Sequence, residues 1–327
     1  MIRAFLLIVA LGAALGDDNE YENIKKKFFA PCVSQDSPML VMLGGGSASG
    51  KSSAVPLLTE MGYIPANSTH IDPDEVMGML PGYQAAVAQR DPCAATTYHE
   101  VSSTYAKRLL DDALALRYHI VYDGTMSSYN SSVASINKGL QKGYRVAMAG
   151  VFCPTAEAAH RSIVRANATG RYVPLSIIFS SHHGYAQNFM PYASLLNASY
   201  LFDTTTPAGG QGTQPLRTVF RTLASGSPTF EINWSSLSRL VDEARLTMDD
   251  LQASLSPADE AAYKSLAARC GLPPDGTPLP FPAWAWVIIV VGVALLCASA
   301  TFLGGCLVGC RWKRHPGTTE SPSAPLL

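Results

Sequence analysis

Gly45-Gly46-Ser47-Ala48-Ser49-Gly50-Lys51-Ser52 fits the pattern G-x-x-x-x-G-K-[ST]. It stands where a phosphate-binding loop has to stand, after the apolar run Met39-Leu-Val-Met-Leu43 and before a helical run from Ser52 to Met61. The glycines let the backbone turn so that several N–H groups and the following helix N-terminus point at one anion. Residues Gly45 to Ser53 are therefore the candidate nucleotide-binding segment. Within it, Lys51 would reach the β- and γ-phosphates of ATP or GTP, and the Ser52 hydroxyl would ligate Mg²⁺.

Outward from the loop, short apolar runs alternate with amphipathic ones from Met39 to about Arg221. That is the rhythm of an α/β fold of the P-loop NTPase type, a parallel sheet with helices on both faces. The strands read as Met39–Leu43, Thr69–Asp72, His119–Asp123, Arg145–Phe152 and Tyr200–Asp203. Helices are expected at Ser52–Met61, His99–Leu116, Tyr129–Gln141 and Thr155–Ala168, with one or two more between Pro174 and Asn197. Met61-Gly-Tyr63 and Lys142-Gly-Tyr144 each place a glycine where a helix stops before a strand. The kinase-like domain is read as residues 39–230, preceded by a charged helical lead-in at 17–38 and followed by a helical segment at 231–270. In that segment Asn233–Leu255 and Pro257–Cys270 read as helices, the second opened by Ser256-Pro-Ala-Asp-Glu260.

Ligands of an open parallel sheet bind beyond the carboxyl ends of its strands, and the polar residues cluster there. After the second strand comes Asp72-Pro-Asp74-Glu75, after the third Asp123-Gly-Thr125, and after the fifth Asp203-Thr-Thr205. Two carboxylates two residues apart admit a division of labour, one capping the helix that begins near Asp74 and one accepting the proton of an acceptor hydroxyl. Asp123 would orient the acceptor or a water on Mg²⁺, and Thr125 would hydrogen-bond the acceptor. The helix after the fourth strand carries Arg161 and Arg165 one turn apart, followed by Gly170-Arg171. Guanidinium groups stabilise the charge that phosphoryl transfer spreads over the γ-oxygens, and Gly170 would end the helix so that Arg171 turns inward. His182-His183 does not read as a metal pair, because adjacent residues on a helix diverge.

The ends of the chain set its surroundings. Met1 to Gly16 has a charged start at Arg3, an apolar stretch and small residues at cleavage spacing, the form of a secretory signal peptide. Gly271 to Pro282 holds five prolines and reads as a stalk. From Ala283 to Cys310 there is no charge in 28 residues, flanked by Trp284 and Trp286 on one side and Arg311-Trp-Lys-Arg-His315 on the other. This is the pattern of a single transmembrane helix, with the 311–327 tail cytosolic and the catalytic domain lumenal or extracellular, a type I arrangement. Five of the nine asparagines lie in N-x-[ST] sequons, Asn67, Asn130, Asn167, Asn197 and Asn233, all on the lumenal side. Cys32, Cys93, Cys153 and Cys270 are enough for two disulfides in any of three pairings. With a net charge of −1 and no basic block outside the C-terminal flank, nothing in the sequence points to a nucleic-acid partner.

The ordered set of motifs resembles the zeta-toxin family of P-loop kinases. After the phosphate loop come Ile71-Asp-Pro-Asp74, His99-Glu100 on a helix, Asp123-Gly-Thr125, a strand ending at Pro154, Arg161-x-x-x-Arg165 and Gly170-Arg-Tyr-Val-Pro174. The resemblance runs from about Met39 to Asn188. It implies transfer of the γ-phosphate of ATP or GTP to a sugar hydroxyl, the acceptor of the best-described toxins being UDP-N-acetylglucosamine. Carried over, it implies Asp74 as the base and Lys51, Arg165 and Arg171 as the phosphate clamp. Asp72, Glu100, Asp123 and Thr125 would form the acceptor pocket. A signal peptide, a membrane span and sequons depart from the bacterial pattern of a cytosolic toxin beside an antitoxin. Three readings follow: a membrane-anchored nucleotide-sugar kinase, a kinase of another small metabolite or glycan, and a non-catalytic receptor module that retains the loop.

Overall fold

A computed structural model of the chain describes residues 18–169, 171–196, 198–205, 217–223 and 229–272, all within one compact unit. The run Met39–Gly44 (β1) is buried along almost its whole length, as a central parallel strand must be. It pairs in parallel with Ile120–Asp123 (β3) on one side and Arg145–Phe152 (β4) on the other. Thr69–Ile71 (β2) adds beyond β3 and Ala198–Asp203 (β5) beyond β4, both parallel. Two antiparallel strands, Arg217–Leu223 (β6) and Thr229–Ile232 (β7), extend the β5 edge, giving the order β2-β3-β1-β4-β5-β6-β7. From β1 the chain runs out to β2, returns to β3 beside β1, and then crosses to β4 on the other side, so the switch point lies at the carboxyl end of β1.

Alternation along β1 sorts the two faces. Leu40 and Met42 pack with Asp18–Phe29 (α1), Ala94–Ala115 (α5), Tyr129–Gln141 (α6) and Leu175–Leu195 (α8) through Ile24, Leu109, Ile136 and Phe189. Val41 and Leu43 face the other way, onto Ala54 and Leu58 of Lys51–Glu60 (α2). A separate apolar cluster joins Thr155–Thr169 (α7) to Met248–Ser254 (α10) and Pro257–Arg269 (α11), around Ala158, Ile163, Leu251 and Tyr263.

The structure departs from the sequence reading at several boundaries, each for a local reason. Thr69–Ile71 is followed at once by Pro73–Met79 (α3) and Pro81–Ala88 (α4), each opened by a proline at the first helical position. Helix α5 begins at Ala94 rather than His99, after Asp91 accepts the Cys93 N–H at 2.8 Å. The expected helix Asn233–Leu255 is two: Trp234–Glu243 (α9) stops, and Thr247 with Asp250 forms a capping box that starts α10 afresh. Of the two disulfides that the four cysteines allowed, one forms. Cys93 and Cys270, 177 residues apart, tie the start of α5 to the end of α11, whereas Cys32 and the buried Cys153 are free thiols.

Among the described residues no helix is long and apolar enough to cross a membrane. The expected signal peptide at 1–16 and membrane helix at 283–310 lie outside the described residues, as do 273–282 of the stalk and the tail.

Candidate active site

The phosphate loop fills the turn from β1 into α2. Gly50 takes φ of 94° and Ala48 φ of 60°, a left-handed pair of turns that leaves successive N–H groups facing one concavity. Ser47 N–H donates to Ser181 Oγ and Ser49 N–H to Gly46 O. The amides of Ala48, Gly50, Lys51, Ser52 and Ser53 have no protein acceptor among the described residues, as the start of a helix dictates. Lys51 Nζ folds into the same concavity, donating to Gly45 O at 2.9 Å and Gly46 O at 3.1 Å, with Asp123 Oδ1 at 3.9 Å. The Ser52 and Ser53 side chains are exposed beside it.

Three carboxylates border the loop. Asp123, at the end of β3, is buried and lies between Lys51 and His70 of β2, whose Nε2 is 3.6 Å from Asp123 Oδ2. Burial works against a charge on His70, but Asp123 outweighs it and raises the imidazole pKa. Asp72 caps α3, accepting the Asp74 N–H at 2.8 Å. Burial, with Asp123 and Asp74 close by, pushes the Asp72 carboxyl up to about 6. Asp74 goes the opposite way. Burial would raise it, yet its ion pair with Arg171, with Arg165 and Lys51 behind, holds its pKa below the usual range.

Arg165 and Arg171 complete this side. Burial and the neighbouring Arg171 lower the Arg165 pKa, and Nε of both arginines is buried without a hydrogen-bond partner. Gly170, expected to turn the chain between them, lies outside the described residues. Arg161 is used differently from Arg165: it donates to Glu157 and to Thr204 O at 2.7 Å beside the loop. Thr125 follows Asp123, its O accepting the Gly45 N–H at 3.4 Å and its hydroxyl meeting Ser127 Oγ at 2.9 Å.

The structure thus brings together Lys51, Asp72, Asp74, Asp123, Arg165 and Arg171, with Thr125 against the base of the loop. It does not bring in Glu100. That residue is exposed in the second turn of α5, with no hydrogen bond or ion pair among the described residues. Four contributors were given no role from sequence. His70 of β2 stands two residues before Asp72, whose backbone is still extended, a period-two signal that could have placed both on one face. Ser181 and His182 reach the loop from α8, and Thr204 from the end of β5 donates to Ser49 O at 2.5 Å. His182 and His183 do diverge, the first buried on the loop and the second stacked on Phe179 and bonded to Gln187 at 2.7 Å. No cluster of metal-binding side chains is found among the described residues.

Strand order, the loop at the switch point and the basic and acidic groups around it define a P-loop NTPase-like α/β protein. The zeta toxin family model matches residues 22–200, more than half of the 327, and the chain belongs to that family. Among solved structures, a chain of the PezAT chromosomal toxin–antitoxin system of Streptococcus pneumoniae is 14% identical, with a TM-score of 0.51 over 78% of this chain and 96% of that one. A chain of the AvrRxo1-ORF1:AvrRxo1-ORF2 complex with sulphate ions is 16% identical, with a TM-score of 0.52 over 77% of this chain and 84% of that one. The same complex with ATP gives 16% and 0.51 over the same shares. At such identities the likeness is one of fold. A comparison with curated proteins gives no match.

Proposed function

We propose that this chain is a phosphotransferase that moves the γ-phosphate of ATP or GTP to a hydroxyl of a small acceptor, a nucleotide sugar of the UDP-N-acetylglucosamine kind being the leading candidate. The observation that carries the reading is the loop itself: five amides without acceptors among the described residues and Lys51 Nζ share one concavity, with two guanidinium groups and three carboxylates at its rim. Those donors fit a polyphosphate. Lys51 Nζ and the amides of Ala48, Gly50, Lys51, Ser52 and Ser53 would hold it, and the exposed Ser52 hydroxyl would ligate Mg²⁺, which neutralises phosphate charge when bound.

Asp74 is the base in this reading. The acceptor oxygen attacks the γ-phosphorus, a new P–O bond forms as the β–γ bridge breaks, the hydroxyl proton passes to Asp74, and the nucleoside diphosphate leaves. At rest Arg171 holds Asp74 in an ion pair that weakens it as a base. A γ-phosphate offers Arg171 a competing anion, so occupancy of the loop releases the carboxylate for proton transfer. Asp72 caps α3 and shapes the pocket, and Asp123 fixes Lys51. Thr125 lines the acceptor side. Glu100, exposed on α5, has no part in this reading.

The compartment is part of the proposal: a type I membrane protein, anchored through 283–310, with the catalytic domain lumenal or extracellular. The Cys93–Cys270 disulfide supports an oxidising compartment, and sequon residues Asn67, Asn130 and Asn233 are exposed. The Asn233 side chain also caps α9 through the Ser236 N–H at 3.2 Å, and the Asn167 and Asn197 side chains lie outside the described residues. The function is tested by incubating full-length protein with γ-labelled ATP and a panel of nucleotide sugars and free sugars, with Lys51→Ala as control. Label in an acceptor that disappears in the variant supports the reading. Nucleotide affinity unchanged in a folded Lys51→Ala protein refutes it.

A further inference from the structure

The apex of the phosphate loop is gripped by one turn of α8. Ser47 N–H donates to Ser181 Oγ at 3.0 Å, and Ser181 in turn donates to Ile178 O at 2.9 Å. The Ser47 carbonyl accepts from His182 Nε2 at 2.8 Å. The imidazole fills the space over Gly46 so closely that a Cβ there would lie 2.0 Å from His182 Cδ2. Both side chains are about 4% exposed. Burial lowers the His182 pKa to about 4, so the ring is neutral near pH 7 with one N–H to give; the Cys153 backbone also meets the ring, and the 2.8 Å contact with the Ser47 carbonyl assigns that N–H to Nε2.

A glycine-rich loop has little conformational preference of its own, and fixing it on binding would draw on the affinity. We propose that Ser181 and His182 are positioning residues that hold the loop in its anion-accepting shape before nucleotide arrives, by taking both backbone polar groups of Ser47 and the space over Gly46. The inference rests on the nucleotide reading of the loop. It adds that the amide of Ser47 is spent on α8 and takes no part in phosphate binding, and that the strut acts on nucleotide affinity.

The test is Mg²⁺–ADP binding to the full-length protein by calorimetry, beside hydrogen exchange at the Ser47 amide. His182→Leu fills the space without a donor and should weaken binding roughly ten- to a hundred-fold. His182→Gln, which carries an amide donor at similar reach, should recover most of that loss. Ser181→Ala, a small change that keeps the fold, should speed exchange at Ser47 and weaken binding in the same direction. A His182→Leu or Ser181→Ala protein with lowered Tm but wild-type affinity would mean that α8 merely packs there. Lys51→Ala separates the two ways of failing. Weak ADP binding in Lys51→Ala with wild-type binding in the α8 variants overturns the strut alone; wild-type binding in all of them overturns the nucleotide reading beneath it.

Discussion

Asp72→Asn should stabilise the protein at pH 7.5 and change little at pH 3.5. Asp72 caps α3 through the Asp74 N–H at 2.8 Å, and an asparagine retains that acceptor. What it removes is a charge that the fold disfavours: burial, Asp123 and Asp74 raise the carboxyl from 3.8 to about 6. The folded pKa lies above the unfolded one, so this group's contribution to stability is full below the unfolded value and is lost as pH rises through about 6. At about 1.4 kcal/mol per pKa unit, a shift of about two units sets a ceiling near 3 kcal/mol. Asp72 is partly open to solvent, which screens its neighbours and brings the expected gain to about 1–2 kcal/mol. For a domain of this size that is a rise in Tm of roughly 2–8 °C. Thermal unfolding of the two proteins by circular dichroism from pH 3.5 to 8 reads it directly. The curves should coincide at the acid end and separate across the window from about 4 to 6. A constant offset at every pH, or a variant less stable at pH 7.5, would show that the carboxylates at the loop do not repel one another.

Other perturbations read other parts of the site. Asp74→Asn should lower turnover by roughly 10²–10⁴ through loss of the base. It should also tighten ATP binding, because Arg171 no longer has a partner to leave, and that gain should vanish in the Arg171→Ala background; a gain that persists there would point to simple relief of charge repulsion. Arg171→Ala alone should mainly reduce kcat, and a change confined to KM would assign it to uniform binding. Replacing Cys93 and Cys270 by serine opens a loop of 177 residues and should cost roughly 2–4 kcal/mol, visible as a lower Tm of the double variant, whereas an unchanged Tm would show the bridge to be dispensable. Endoglycosidase treatment of protein expressed in a secretory host should increase gel mobility; unaltered mobility, with the domain open to cytosolic protease, would reverse the proposed orientation.

Much of this architecture is legible in the chain because the signals are local. A buried central strand reads as an unbroken apolar run, and a phosphate loop carries its glycines, lysine and serine in one octet, so β1, the loop and α2 need no tertiary information. Asp72, Asp74 and Asp123 were legible for a related reason: topology puts strand ends together, and each carboxylate follows a strand. What escaped depends on contacts across the sequence. Strands β6 and β7 are edge elements whose partners, not their composition, make them strands, and the step from β5 to β6 includes a register shift between Leu201 and Phe202. Helix α5 starts five residues early because an aspartate turn and a disulfide hold its first turn. The capping box at Thr247 was written in the sequence as T-x-x-D, but the apolar periodicity on either side masked the break. Glu100 was placed by motif order, which fixes a residue's helix but not the face it occupies.

The support of the loop extends past the part of the chain that the family model covers. The match ends at residue 200, yet Thr204, just beyond β5, donates to Ser49 O and to Phe152 O, and its own carbonyl accepts from Arg161. Thr204 is held from both sides: Arg239 of α9 pairs with the buried Asp203 at 2.9 Å and donates to Thr205 Oγ1 at 3.0 Å. One turn further along α9, the Glu243 carboxylate accepts the N–H and the hydroxyl of Thr155, the first residue of α7. Helix α9 therefore fastens the end of β5 and the start of α7 together. The first of these braces the phosphate loop and the second carries Arg161 and Arg165. A helix outside the matched region thus fixes the distance between the loop and its arginines. Displacing α9 would therefore disturb the proposed phosphate site without touching a residue placed in it.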